Sequence, residues 1–189
     1  MPIRIRTADA KDAAAVAKVQ IDTWRTTYQG ILPDEYLSNL SYDRSRRMWE
    51  TILLGPESQV VAYVAEDDSE TVVGWVSCGP DRDQDPTYRG EVYGLYVLQK
   101  MQRAGIGRQL MATAARDLKS RGFNSMIVWV LADNSSRHFY EKLRGEHAQT
   151  RDITIGGMKL KEYGYGWKNL DSIPDTPSSI SNRSSSRGY

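Results

Sequence analysis

The sequence predicts a mixed α/β fold: a mostly antiparallel sheet, one parallel crossover at its centre, and helices on both faces. Three observations carry that expectation. Segments with a two-residue apolar period alternate with segments of helical period. An alternating strand, an apolar helix and a buried strand follow one another between Glu91 and Ala132, the pattern of a right-handed crossover between parallel strands. The other strands are joined by short polar turns that suit antiparallel return.

The elements follow in order. Ile3 to Arg6 alternates and reads as a short edge strand. Asp9 can cap a helix in which Ala13, Val16, Ala17 and Trp24 keep helical spacing. Gly30 breaks it, and Pro33 opens a short helix with Tyr36, Leu37 and Leu40 on its apolar face. Tyr42 to Leu54 is a third amphipathic helix. Gln59 to Glu66 and Thr71 to Gly79 form a hairpin of strands, and Pro80 to Gly90 is a polar loop. The strand Glu91 to Leu98 comes next. In the helix after it, Ile106, Leu110, Ala114 and Leu118 recur every fourth residue, and Gly122 stops it. Ser125 to Ala132 has the continuous apolar run of a parallel strand. A short helix ends at Gly145, and a hairpin through Gly156 and Gly157 closes the fold. Residues 1–168 are therefore expected to form one domain. Residues 169–189 are expected to be a disordered tail, since Asp171 to Tyr189 holds seven serines and two prolines in nineteen residues.

Composition excludes several classes. The 25 basic and 24 acidic residues give a net charge of +1, which offers no bulk attraction to nucleic acid. The longest apolar run, Met126 to Ala132, is too short to span a bilayer, and the N-terminus has no signal-peptide core. The single cysteine, Cys78, rules out an internal disulfide. A cytoplasmic protein without a metal site is the expectation, because His138 and His147 alone make no ligand set.

The junction "QRAGIGRQLM" carries the chemistry. A helix N-terminus presents free N–H groups and partial positive charge, and Gly105 and Gly107 let a ligand approach the backbone. Arg103 and Arg108 add charge. A tight turn with solvated arginines is the plain alternative. Leu110 stands where a dinucleotide fingerprint needs its third glycine, and Gly107 is followed by Arg108 and Gln109 rather than by Lys and Ser/Thr, so neither nucleotide motif fits.

Gln102 to Gly107 reads Q-x-x-G-x-G behind a strand ending Leu95-Tyr96-Val97. This resembles the acyl-CoA-binding loop of the GNAT superfamily of N-acetyltransferases. Asn134 to Leu143, "NSSRHFYEKL", resembles the second signature of that family, and the resemblance spans about Ile3 to Trp167. It implies the acyl-CoA N-acyltransferase fold and acetyl-CoA as cosubstrate. It also implies that the pantetheine arm lies against Tyr96, Val97 and Leu98, and that the pyrophosphate sits on Gln102, Arg103, Ala104, Gly105, Ile106, Gly107 and Arg108. Asn134 would bond the pantetheine or cap its helix.

Tyr140 matches the tyrosine that protonates the departing thiolate, with packing on the sheet as its other reading. Glu91 matches the glutamate that serves as base in the histone-modifying branch. It is expected to share a face with Tyr93, Leu95 and Val97, and a solvated strand-end residue is the alternative. The acceptor side is expected near Trp24, Tyr28, Tyr36, Trp75 and Tyr93, any of which is also a plausible core aromatic. Asp81, Asp83 and Asp85 read either as a solvated loop or as an acidic rim. The expected reaction is direct acetyl transfer to a small-molecule amine in a ternary complex, with a homodimer as a further expectation. The alternatives are a non-catalytic acyl-CoA-binding module and an acetyltransferase acting on a protein amine.

Overall fold

The structure, a computed structural model, describes residues 2–55 and 59–173. Seven strands form one sheet: β1 (Arg4–Thr7), β2 (Val61–Glu66), β3 (Val72–Pro80), β4 (Gly90–Val97), β5 (Met126–Leu131), β6 (Glu146–Ile155) and β7 (Met158–Trp167). The helices are α1 (Ala13–Thr27), α2 (Asp34–Ser38), α3 (Tyr42–Leu54), α4 (Ile106–Ser120) and α5 (Arg137–Lys142). The strand order is β1-β2-β3-β4-β5-β7-β6, and only β4 and β5 run parallel. The closing hairpin thus inserts its second strand beside β5 and leaves β6 at the edge.

Both sheet faces are covered, as the apolar pattern requires. On one face α4 packs Ile106, Leu110, Met111 and Leu118 against Val76, Val92 and Val128, and Tyr140 of α5 joins that core. On the other face α1 and α3 bury Val16, Val19 and Trp49 against Val64 and Trp75. Tyr28, Leu32 and Leu37 close the third cluster with Leu131.

The expected tail boundary at residue 169 is corrected. Asn169 caps a 3-10 turn at Leu170–Ser172, and Leu170 and Ile173 are buried in the α4 core. Two apolar side chains among serines and aspartates were enough to anchor the chain there. Residues 174–189 lie outside the described residues.

An ion-pair cluster fixes the 3-10 turn Ala10–Asp12 that leads into α1. Asp9 accepts from the Lys11 N–H at 2.7 Å, and Asp12 accepts from the Asp9 N–H at 2.8 Å, the reciprocal pattern of a capping box. Arg6 bridges the Asp12 carboxylate at 2.6 and 2.8 Å and also reaches Glu66 at 2.9 Å. Hydrogen bonding from Arg6 holds the Asp12 carboxyl below its ordinary value of 3.8, against the opposing pull of burial. The stability this contributes is complete above the ordinary value and is lost as pH falls through the lower, folded one. Asp12→Asn is expected to cost about 2 kcal/mol at neutral pH. Denaturant titrations at descending pH should show the gap to wild type closing below pH 3.8.

Candidate active site

β4 and β5 pair only at Gly90–Met126, Glu91–Ile127 and Val92–Val128. Beyond Val92 they separate. The cause is local: β4 carries an extra residue, Tyr93, between Val92 opposite Cys78 and Gly94 opposite Ser77, and such a bulge bends a strand. The gap is a cavity of about 610 Å³, with Tyr93 to Val97 on one wall and Val128 to Val130 on the other. Along this stretch the edges of the two strands have no cross-strand partner. An extended ligand bearing amides can add to such edges as a strand does.

The bulge also overturns one expectation. Val92 and Val97 both face the α4 core, although they are five residues apart. Strict alternation would put them on opposite faces. Glu91 is therefore turned away from Leu95 and Val97 rather than aligned with them.

The cavity opens onto the glycine loop. A 3-10 turn at Gln99–Met101 leads into it, and the Gln102 side chain donates to the Val97 carbonyl at 3.0 Å, tying the loop to the end of β4. Gly105 caps α4 at φ 82°, a left-handed conformation that favours glycine, and no side chain caps the helix. The first hydrogen bond into the helix is from the Gln109 N–H to the Gly105 carbonyl. The N–H groups of Ile106, Gly107 and Arg108 thus have no helical acceptor and are free to meet an anion. Gln102, Arg103, Gly105, Gly107 and Arg108 line the cavity. Ala104 and Ile106 do not; the Ile106 side chain is buried in the core, so these two can offer only backbone. Leu98 packs against the core and is likewise not a lining residue.

Four tyrosines line the gap, Tyr28, Tyr93, Tyr96 and Tyr140. Tyr140 lines it and is 6 % exposed; its ring stacks near Tyr165 at 6.1 Å and meets Phe139 edge-on at 5.3 Å. Burial pushes the Tyr140 hydroxyl well up, with the nearby Tyr96 hydroxyl adding to the effect. Burial raises Tyr28 and Tyr96 as well; the nearby Asn134 side chain opposes it at Tyr28. Asn134 also accepts the Ser136 N–H at 2.8 Å, so it orders the entry to α5 while facing Tyr28.

Glu91 does not line the cavity. It is 1 % exposed, and Arg82 clamps both of its oxygens, with the Arg82 backbone N–H adding a third contact at 3.1 Å. The expected base is thus a buried carboxylate already engaged in an ion pair. Glu91→Gln should therefore leave kcat within about threefold while lowering Tm by several degrees, because charge-assisted bonds are worth about 1.5–3 kcal/mol each. Paired steady-state assays and thermal melts check both halves.

The three loop aspartates also have local partners. Asp81 accepts the Asp85 N–H at 2.7 Å, Asp85 accepts the Thr87 and Tyr88 N–H groups, and Asp83 pairs with Arg151 at 2.8 Å. They fold the loop and form no open acidic rim.

Of the expected acceptor aromatics, Tyr28 and Tyr93 line the cavity. Trp75 does not: it is buried, donates its indole N–H to the Val16 carbonyl at 3.1 Å, and packs on Trp49. Trp24 and Tyr36 stand behind Tyr28, with Trp24 edge-on to it at 4.9 Å. Sequence reasoning missed Thr23, Thr27 and Trp129, which do line it. The signal was a threonine pair one helical turn apart, just ahead of Tyr28.

A model of the acetyltransferase (GNAT) family matches residues 21–145. The chain belongs to this family. The match takes in the splayed strands, the glycine loop and α5. Among relatives, the chain is 38% identical over 171 residues to an uncharacterized N-acetyltransferase, YuaI, of Bacillus subtilis (strain 168), covering 90% of this chain and 96% of the relative. It is 32% identical over 173 residues to a probable N-acetyltransferase of Mycobacterium tuberculosis (strain ATCC 25618 / H37Rv), covering 86% and 92%. A crystal structure of the PaiA N-acetyltransferase of Thermoplasma acidophilum in complex with coenzyme A superposes with a TM-score of 0.67 at 20% identity, covering 86% of this chain and 98% of that one. That likeness bears on the fold, and the family membership makes the chain an N-acetyltransferase. Among the described residues no group of three metal-ligating side chains occurs, and no helix is long and apolar enough to cross a membrane.

Proposed function

We propose that the chain moves an acetyl group from acetyl-CoA to the amine of a small molecule by direct attack within a ternary complex. The observation that carries this is continuity. One cavity runs from the uncapped start of α4, along the unpaired edges of β4 and β5, to Tyr140. The turn suits the pyrophosphate, the edges suit the two amides of pantetheine, and Tyr140 then lies by the thioester.

The chemistry follows from those positions. A neutral amine attacks the thioester carbonyl, and the C–S bond breaks as the tetrahedral species collapses. The Tyr140 hydroxyl gives its proton to the leaving thiolate, and the amine nitrogen loses one to water in the cavity mouth. Tyr140 enters the reaction protonated, as a general acid must, and burial keeps that proton on. Cys78 offers no covalent route: it is fully buried away from the cavity, and desolvation pushes its thiol up to about 12. The acceptor approaches from the side of Thr23, Thr27 and Tyr28.

The test follows free thiol release from acetyl-CoA across a panel of small amines, alongside CoA binding. Amine-dependent thiol release supports the reading. CoA binding without turnover of any amine points to a non-catalytic acyl-CoA-binding module.

A further inference from the structure

The charge inventory of the cavity limits what the acceptor can be. Among the described residues that line it there is no carboxylate. Its basic side chains belong to the glycine loop and α5: Arg103, Arg108 and Lys142, with the His138 imidazole, whose Nδ1 lies 2.8 Å from Glu141. The acceptor side is lined instead by neutral hydroxyl groups, on Thr23, Thr27 and Tyr28, and by the Trp129 indole. Glu162, whose charge is felt at Tyr28 and Tyr96, is engaged by Arg151 at 2.9 Å, and that guanidinium lies 3.9 Å over the Trp129 ring.

Two buried polar atoms on lining residues have no hydrogen-bond partner: the Thr23 hydroxyl and the Trp129 indole N–H. Thr23 is 5 % exposed. A helical threonine ordinarily satisfies itself on the carbonyl one turn back. Thr26 does so, on Asp22 at 3.2 Å, and Thr23 does not. A buried polar atom without a partner is costly, so its retention beside a ligand cavity calls for a reason. Neither atom carries charge.

We propose that the acceptor is a primary amine bearing neutral oxygen substituents close to its nitrogen, the class of amino alcohols and amino sugars, and that Thr23 and Trp129 bind those oxygens. This rests on the site reading above and adds the substrate class to it. The chemistry agrees on a second count. An ammonium entering a cavity without carboxylates loses hydration and gains no counter-ion, which favours loss of its proton. A neighbouring oxygen withdraws electron density and lowers amine basicity further. Such an acceptor reaches the thioester as a free amine without a dedicated protein base. A polyamine would instead have to bring several positive charges into a site with no anion to receive them.

The experiment compares kcat/KM for glucosamine, 2-aminoethanol, butylamine and spermidine in the wild type, Thr23→Val and Thr23→Ser. Thermal melts of the free proteins and CoA titrations accompany it. The oxygenated amines should exceed butylamine and spermidine by about tenfold or more. Thr23→Val should lower kcat/KM for the better oxygenated amine by about fivefold, the value of one hydrogen bond, and Thr23→Ser should restore it. Because valine removes an unpaired buried hydroxyl, the free Thr23→Val protein should melt about 2–4 °C higher with CoA affinity unchanged. Butylamine or spermidine equalling the oxygenated amines overturns the proposal. So does an unchanged kcat/KM in Thr23→Val, or turnover of none of the four by a protein that binds CoA. Failure of the wild type to bind CoA overturns the underlying site reading, and this proposal with it.

Discussion

Tyr140→Phe is expected to lower kcat by about 100-fold and to leave CoA affinity and thermal stability nearly unchanged. The magnitude is that of a positioned general acid. The selectivity follows from packing. Phenylalanine keeps the ring that meets Phe139, Tyr165 and Trp167, so the core on that side of the sheet is preserved. Among the described residues the Tyr140 hydroxyl donates to none, so no internal bond is lost with it. Only the proton for the thiolate disappears. The pH profile separates this from a general disturbance. The hydroxyl is held above its ordinary 10.0 by burial, so the acid stays loaded through neutral and mildly alkaline pH. Wild-type kcat should then show no fall below pH 10, and the variant should be slower by a constant factor across that range. A kcat within about threefold of wild type would remove Tyr140 from the mechanism.

Replacing Arg103 and Arg108 together by alanine is expected to weaken CoA binding by about 100-fold, roughly tenfold for each charge-assisted contact. Both residues line the cavity at the start of α4. Arg103 sits at φ 63° and Gly105 at φ 82°, so the loop makes its turn between two cavity-lining arginines, Arg103 and Arg108. The loss should shrink at high salt, since exposed charge is screened. Isothermal titration at two ionic strengths measures both effects. A change in kcat at saturating acetyl-CoA with an unchanged Kd would contradict the assignment, because these groups bind far from the bond that breaks.

Much of the fold was legible because its signals are local. The α3 and β7 limits were read from period and turns alone, and α4 began where Gly105 and the apolar four-residue repeat placed it. The position of the closing hairpin was not legible. Nothing in the β6 or β7 sequence says that β7 pairs with β5 and β6 takes the edge, since that choice is made by tertiary packing. The tail boundary failed for a related reason: Leu170 and Ile173 look isolated in sequence and find their partners only in the folded core.

The site was legible where chemistry is tied to backbone. The glycine loop and Tyr140 line the cavity because a strand-to-helix turn and a short helix place them there. Glu91 was misplaced on its strand by a bulge that period-two reasoning does not contain, and its partner Arg82 lies across a loop. The acceptor side was the least legible. Aromatic residues drew the expectation, yet Trp75 is core, and two threonines and a tryptophan with unremarkable neighbours in sequence line the cavity instead.

The central claim is that acyl-CoA lies in the opening between β4 and β5. A crystal structure with CoA bound tests it most directly. The account predicts the pyrophosphate on the N–H groups of Gly105 to Arg108, the pantetheine amides along Tyr93 to Val97, and the sulfur within hydrogen-bonding distance of the Tyr140 hydroxyl. CoA bound elsewhere, or with its sulfur remote from Tyr140, contradicts it.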